Sequence, residues 1–255
     1  MNSTEDSEVL LKVKELKVHF QMDHYEQQGI RDLFVSAVRH PVEFLFQPKE
    51  IFYALNGINL EIKRGMRVGI LGVNGSGKTT LCRCIAGMMK AQQGTVETKA
   101  EIRAIFDTGT GIMPELTGRE NAQLLARLFF LDVKNLTPLV EEAIEFSELG
   151  HFIDMPFKTY SKGMQSRLML SLVSSKATDI LILDEVFDGA DVFFQKKLAS
   201  RMINFIEKAG ATIFVSHSAE QVKQICNKVL IINQGKVHFF GEVDEGIETY
   251  LKIKE

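Results

Sequence analysis

The chain has 255 residues, 45% of them hydrophobic and 25% charged, with a formal net charge of −3. That length suits one sizeable α/β domain or one domain with a subdomain, and the charge supplies no global basic field for nucleic acid. No apolar run reaches the roughly 18 to 20 residues of a membrane span, the polar and acidic start MNSTEDSEVL is unlike a signal peptide, and three cysteines are too few for a disulfide framework and suit a reducing compartment.

In chain order, residues 1–8 read as a solvated tail. LLKVKELKVHF (Leu10 to Phe20) alternates in part and reads as a strand. In the irregular stretch that follows, Ile30, Leu33, Phe34, Ala37 and Val38 fall on one helix face, and Pro41 ends or kinks that helix. Ile51–Ile62 and Met66–Leu71 read as strands around the turn at Lys63-Arg64-Gly65. A helix is expected from about Lys78 to Met89, then a strand over Ile102–Phe106. Residues from about Gly118 to Lys176 look helical, with Thr117 and Thr137 as candidate caps, the latter followed by Pro138. Strands return at Asp179–Glu185 and Ala211–His217, with helices over Val192–Lys208 and Ala219–Ile225. Lys228–Asn233 and Lys236–Phe240 read as a hairpin around Gln234-Gly235. Strand–helix alternation with short apolar strands predicts a mostly parallel sheet covered on both faces, with the helical middle as an insertion. Cys82 and Cys84 are two apart on a helix, so they face different ways and read as small buried hydrophobes.

Four short motifs carry chemistry. GVNGSGKTT (Gly72 to Thr80) completes the G-x-x-x-x-G-K-[ST] pattern between a strand and a helix. Gly72, Gly75 and Gly77 let backbone N–H groups, including those flanking Asn74 and Ser76, face a phosphate, and the helix dipole adds positive charge. Lys78 reaches the β- and γ-phosphates, the Thr79 hydroxyl binds Mg²⁺, and Thr80 continues the loop into the helix. LILDE ends an apolar strand in two carboxylates: Asp184 for Mg²⁺ and Glu185 to accept a proton from, or orient, an attacking water. In YSKGMQ, Ser161 is a helix cap and Gly163 permits close backbone approach, which makes a second anion-type helix start. His217 in SHS ends a strand at the carboxyl edge of the sheet, facing the ligand crevice.

In this order the motifs resemble the ATP-binding subunit of an ABC transporter, from about Leu10 to the end. The resemblance implies an α/β P-loop ATPase domain with a mostly parallel sheet core, an antiparallel β subdomain and an inserted helical subdomain. The boundaries would be 10–106 and 177–255 for the core and 107–176 for the helical part, all within one domain over 1–255, with an added amphipathic helix near 30–40. It implies ATP and Mg²⁺ as ligands and a head-to-tail homodimer in which Ser161 and Gly163 bind the γ-phosphate held by the other subunit. Glu185 would be the general base, His217 a γ-phosphate contact, and VFDGAD (Val186 to Asp191) the loop between subunits, with Asp191 at its acidic position. Phe20 falls at the adenine-stacking position, with Phe52 and Tyr53 as competitors.

The departures are as informative. Lys162 and Met164 stand in a signature usually read LSGGQ, and Asp107 stands where the family has a Gln that contacts Mg²⁺ and water. Asp107 can bind Mg²⁺ but cannot donate a hydrogen bond. YS-x-GM, DTGTGIMPELTGREN (Asp107 to Asn121) and DEVFDGAD-x-x-FQKK are similar to exporters of polysaccharide or polyol phosphate, of the O-antigen, capsule or teichoic acid type. That branch implies a separate integral membrane permease that handles most of the glycan or polyol phosphate cargo, no nucleic acid partner, and a place on the cytoplasmic face of the cell membrane. The chain stops soon after its catalytic part, so an appended carbohydrate-binding domain is not expected. Leu116, Arg119, Glu120 and the Ile30–Val38 face are the candidate partner surface, with packing on its own core as the other reading of Ile30–Val38. Another transporter class, a soluble ABC ATPase and a P-loop kinase are the alternatives, the last having no need of YSKGM.

Overall fold

The computed structural model describes residues 8–22, 50–106, 111–185, 192–208 and 210–254. The Ile30–Val38 helix, Asp107 and Asp191 lie outside them.

Two sheets pack against each other across one of two hydrophobic cores. The smaller has the order β2–β1–β4, all antiparallel: β1 (Val9–Met22), β2 (Glu50–Lys63) and β4 (Gln93–Thr98). The partial alternation of β1 has a physical cause. Leu11 and Val13 are buried, then Leu16 and Val18, so the inward parity changes between them. The change sits at Glu15, a bulge with φ 44, whose N–H donates to Asn59 Oδ1 at 3.0 Å. An inserted residue flips every later side chain to the other face. Gly94 of β4 packs on this bulge: a Cβ there would lie 2.4 Å from the Glu15 carbonyl oxygen, and its φ is +84. QGTVET was not expected as a strand. Its one apolar side chain, Val96, is half-buried and the rest of it is exposed, so the pairing with β1 makes it a strand, not its pattern.

The larger sheet has the order β5–β6–β7–β3–β8–β9: β3 (Arg67–Leu71), β5 (Ile102–Ile105), β6 (Ile180–Asp184), β7 (Ala211–Val215), β8 (Lys228–Asn233) and β9 (Lys236–Glu242). Every pair is parallel except β8–β9. Both faces are covered, so β6 and β7 are buried throughout and read as continuous apolar runs. Alternate residues still serve different cores. Ile180 and Ile182 join the smaller sheet and the helix after β3, whereas Leu181 and Leu183 join the remaining helices.

That helix, α1 (Lys78–Ile85), is shorter than expected. It closes with a left-handed Gly87, φ +72, where Gly87 N–H donates to Cys84 O at 3.1 Å and Met88 N–H to Arg83 O at 2.9 Å. This paired closure caps the orphan carbonyls and stops the helix. Cys82, Cys84 and Cys226 are buried free thiols, and burial pushes all three up from the usual thiol value.

Between β5 and β6 come α2 (Gly118–Phe129), α3 (Thr137–Ser147) and α4 (Lys162–Val173). Thr117 and Glu120 form a reciprocal capping box at α2. At α3 the expected Thr137 cap is one residue out. Thr137 is already helical, Leu136 is the N-cap, and Asn135 Oδ1 accepts from the Thr137 amide at 3.2 Å. After β6 come α5 (Val192–Lys208), α6 (Ala219–Ile225) and α7 (Val243–Lys254). The last was not expected, although Val243, Ile247 and Tyr250 hold helical spacing and pack on the core. No helix among the described residues is long and apolar enough to cross a membrane.

Candidate nucleotide site

The loop from Gly72 to Gly77 joins the end of β3 to the start of α1, at the carboxyl edge of the sheet. Its glycines answer separate constraints. A Cβ on Gly72 would lie 2.3 Å from Ile232 O, and one on Gly77 2.3 Å from Ala54 O, so backbone crowding excludes side chains at both. Gly75 has φ +76 with no atom within 4 Å of a notional Cβ. Its constraint is that left-handed angle, which L side chains rarely adopt, and the loop has an open side here.

That side opens into a cleft of about 370 Å³. Asn74, Gly75, Gly77, Lys78, Thr79 and Thr80 line it from the loop and α1, Glu185 and His217 from the ends of β6 and β7, and Phe20, Phe52 and Ala54 from β1 and β2. Two larger clefts, one between α2 and α3 and one at the start of β1, have none of these groups. The phosphate-type chemistry singles out the smaller one.

Lys78 is 5% exposed, and its ammonium donates to Gly72 O at 2.9 Å and Val73 O at 3.1 Å. Burial lowers its pKa, while the nearby Glu185 and Asp184 carboxylates hold the proton on. Ser76 is buried beneath the loop with its hydroxyl unpartnered. At the end of β6, Asp184 is 3% exposed. Its carboxyl accepts from the Thr79 hydroxyl, its Oδ1 has no partner, and burial raises its pKa. A buried carboxylate oxygen left unmatched beside a hydroxyl fits a hard divalent cation, which prefers oxygen ligands. The residues present therefore suit Mg²⁺, with Thr79 and Asp184 as its protein ligands.

Glu185, the next residue, turns out of the strand at φ 55 while its N–H still bonds Val215 O at 3.1 Å. The turn brings its carboxylate to His217, with Nε2 and Oε1 2.7 Å apart and both side chains about two-fifths exposed. Sequence reasoning placed both residues at the crevice but did not find this contact, because it depends on the left-handed turn at Glu185. Ser216 and Ser218 fix the backbone around His217: the Ser218 N–H donates to Ser216 Oγ at 3.0 Å, and Ser218 Oγ caps α6.

Phe20 and Phe52 are direct cross-strand partners and both line the cleft. Tyr53 pairs with His19 on the other face, ring centroids 5.6 Å apart, and does not line it. Ala54, which sequence reasoning missed, enters because β2 carries an extra residue there, between the pairs Val18–Leu55 and His19–Tyr53. No sequence signal marks it.

Ser161 caps α4, its hydroxyl accepting from Met164 N at 3.3 Å, with Lys162 and Gly163 as the first helical residues. Neither Ser161 nor Gly163 lines the cleft. Of the expected partner surface, Arg119 is held by Asp154 and Glu141 at 2.8 and 2.9 Å, Glu120 is in the capping box, and Leu116 is half-buried. Arg119 and Glu120 thus organise the helices of this region.

A family model described as ABC transporter matches residues 55–188. The chain is 36% identical to the O-antigen export system ATP-binding protein RfbB of Klebsiella pneumoniae over 239 residues, covering 91% of this chain and 93% of that protein. It is 35% identical over 245 residues to the teichoic acids export ATP-binding protein TagH of Staphylococcus saprophyticus, 96% of this chain and 89% of that one. With the TagH of Enterococcus faecalis it shares 39% over 207 residues, 81% of this chain but 46% of that longer protein. Among solved structures, the dimeric post-hydrolysis ATP-binding cassette MJ0796 bound to ADP and phosphate superimposes with a TM-score of 0.74 at 20% identity, over 92% of this chain and 99% of that one.

Proposed function

The chain belongs to the ABC transporter family as an ATP-binding, ATP-hydrolysing cassette, and on that premise we propose that it drives export of a polysaccharide or polyol phosphate chain. The observation that carries the cargo class is the near full-length likeness to RfbB and to a TagH, proteins named for O-antigen and teichoic acid export. The branch-type motifs YSKGM and DEVFDGAD agree with it.

In this reading residues 1–255 form one nucleotide-binding domain, with 107–176 as its helical subdomain. Phe20 and Phe52 flank the base, and the 72–80 loop holds the triphosphate. Lys78 donates to the β- and γ-phosphates in place of its present loop carbonyls. When bound at Thr79 and Asp184, Mg²⁺ neutralises phosphate charge. Glu185 accepts the proton of a water as its oxygen forms the new bond to the γ-phosphorus. The bond from the γ-phosphorus to the bridging oxygen breaks, leaving ADP and phosphate. His217, within hydrogen-bond reach of Glu185, orients that carboxylate and reaches the γ-phosphate. Asp107 adds to the Mg²⁺ site and Asp191 to the contact between subunits.

Ser161 and Gly163 stand outside the cleft of their own chain, which supports a head-to-tail dimer in which each copy completes the site of the other. A separate membrane permease passes the cargo, and the cassette works on the cytoplasmic face against it. The test is purification from membranes of cells that carry the intact gene. A multispanning permease should co-purify, and deletion should strip a glycan or polyol phosphate polymer from the cell surface. A deletion strain with unaltered surface polymers would sink the cargo assignment, whatever the ATPase activity.

A further inference from the structure

Arg201 of α5 joins three helices. Its Nε donates to Ser174 O, at the C-cap of α4, at 3.0 Å. Nη1 and Nη2 donate to the two carboxylate oxygens of Glu142 on α3 at 2.7 and 2.8 Å. Its guanidinium lies 4.1 Å from the ring centroid of Phe146, also on α3, and the side chain is 14% exposed. One turn earlier, Lys197 donates to Phe146 O at 3.0 Å and sits 4.4 Å from the same ring. Phe194 meets Phe146 edge-on at 5.9 Å, and Arg167 of α4 lies over Phe194 at 5.3 Å. A second buried guanidinium, Arg103 of β5, holds Val173 O at 3.4 Å at this helix end and Lys176 O at 2.7 Å just beyond it.

We infer that Arg201 is a positioning residue for the half-site carried by Ser161 and Gly163. The inference rests on the head-to-tail reading above. Those two residues stand at the N-terminal end of α4, and Arg201 holds the C-terminal end. The helix has 12 residues, about 18 Å at 1.5 Å per residue, so a tilt of roughly 10° at the held end displaces the exposed end by about 3 Å. Phosphate recognition tolerates about 0.5 Å. Two cations at the helix C-terminus also match its dipole. The guanidinium is needed for its shape: it serves a carboxylate in bidentate fashion and a carbonyl at once, which an ammonium cannot reproduce.

The experiment uses the full chain carrying Glu185→Gln as parent and compares it with the same chain also carrying Arg201→Met, Arg201→Lys or Glu142→Gln. ATP affinity is measured on dilute monomer, and ATP-driven dimerisation by sedimentation. Arg201→Met should keep monomer ATP affinity within about twofold yet need about tenfold more protein to dimerise, the scale of a lost charge-assisted hydrogen bond. Arg201→Lys should fall between that variant and the parent. Glu142→Gln, at a half-exposed position, should shift dimerisation the same way by less, and it carries the test if Arg201→Met folds poorly. Dimerisation equal to the parent in both Arg201→Met and Glu142→Gln overturns the inference, as does a parallel fall of ATP affinity and dimerisation. A parent that never dimerises with ATP removes the head-to-tail reading itself.

Discussion

The loop at Gly72–Thr80 and the helix start at Ser161–Gly163 both present glycine and hydroxyl groups of the kind that meet phosphate, yet their surroundings differ. The loop is packed from behind by Ile232 and Ala54, and its lysine and threonine are already bonded within the chain. At the helix start Ser161 is exposed and Gly163 half-buried, and among the described residues the Ser161 hydroxyl is engaged only in capping. What the loop needs for its geometry lies inside one chain. What the helix start needs is, on the inference drawn above, set at its far end by Arg201. On the proposed head-to-tail reading, the difference separates recognition of phosphate from commitment to hydrolysis, and each substitution below acts on one side of that division.

The largest effect should come from Glu185→Gln, which keeps the fold of the cleft and removes the proton acceptor. Turnover should fall by about 10² to 10⁴ while ATP still binds, measured as steady-state phosphate release beside equilibrium binding. A variant with near wild-type turnover would take Glu185 out of the base role. Gly163→Glu should come next. In the proposed dimer it sets a carboxylate where the second copy presents its triphosphate, so hydrolysis should drop about 10² to 10³. Monomer ATP affinity should be unchanged, and the acid at the start of α4 suits the helix dipole. If monomer affinity falls instead, Ser161–Gly163 serves its own chain and the comparison collapses.

Asp184→Asn should separate stability from function. Burial raises the Asp184 pKa, so the native state holds that proton more tightly than the unfolded chain does. Stability is therefore lost as pH rises from the ordinary carboxylate value of about 3.9 through the raised folded value. The amide removes that loss. In the absence of Mg²⁺ and ATP the variant should be more stable than the parent at neutral pH, because the amide has no charge to desolvate. The gain should vanish near pH 3.5. A thermal melt series across pH checks both ends, and a gain independent of pH would contradict the assignment. The smallest effect belongs to the base shelf: Phe20→Ala or Phe52→Ala should raise the KM for ATP by roughly tenfold with kcat kept, and Tyr53→Ala should leave it unchanged.

The motifs were legible because each answers a local demand that only certain residues meet. Crowded backbone at Gly72 and Gly77 admits no side chain, and a strand buried on both faces, like ILILD, must be apolar until its end. The parallel sheet followed from those strands. Tertiary effects hid the rest. QGTVET is a strand only because β1 offers it an edge. The parity of β1 changes at Glu15, so the face that Phe20 shares with Leu16 and Val18 does not follow from Leu11 and Val13. The contact between Glu185 and His217 requires a φ of 55 that nothing in LILDE announces. Thr137 lost its capping role to a helix that begins one residue sooner.

The β8–β9 turn has a reach its position conceals. Gln234 and Gly235 both have positive φ, 47 and 72, as a tight hairpin requires. Gly235 N–H donates to Ser76 O at 3.1 Å in the phosphate loop, and Gly235 O accepts from Asn56 N–H at 2.7 Å in β2. A Cβ on Gly235 would lie 2.9 Å from Ala54 O, the same carbonyl that crowds Gly77. This hairpin tip works as a fixed spacer across the cleft: the strand that carries Phe52 and the loop that carries Lys78 are both pinned to the two peptide groups of one residue. The spacing between the two walls of the cleft is thus set at a residue that does not line it.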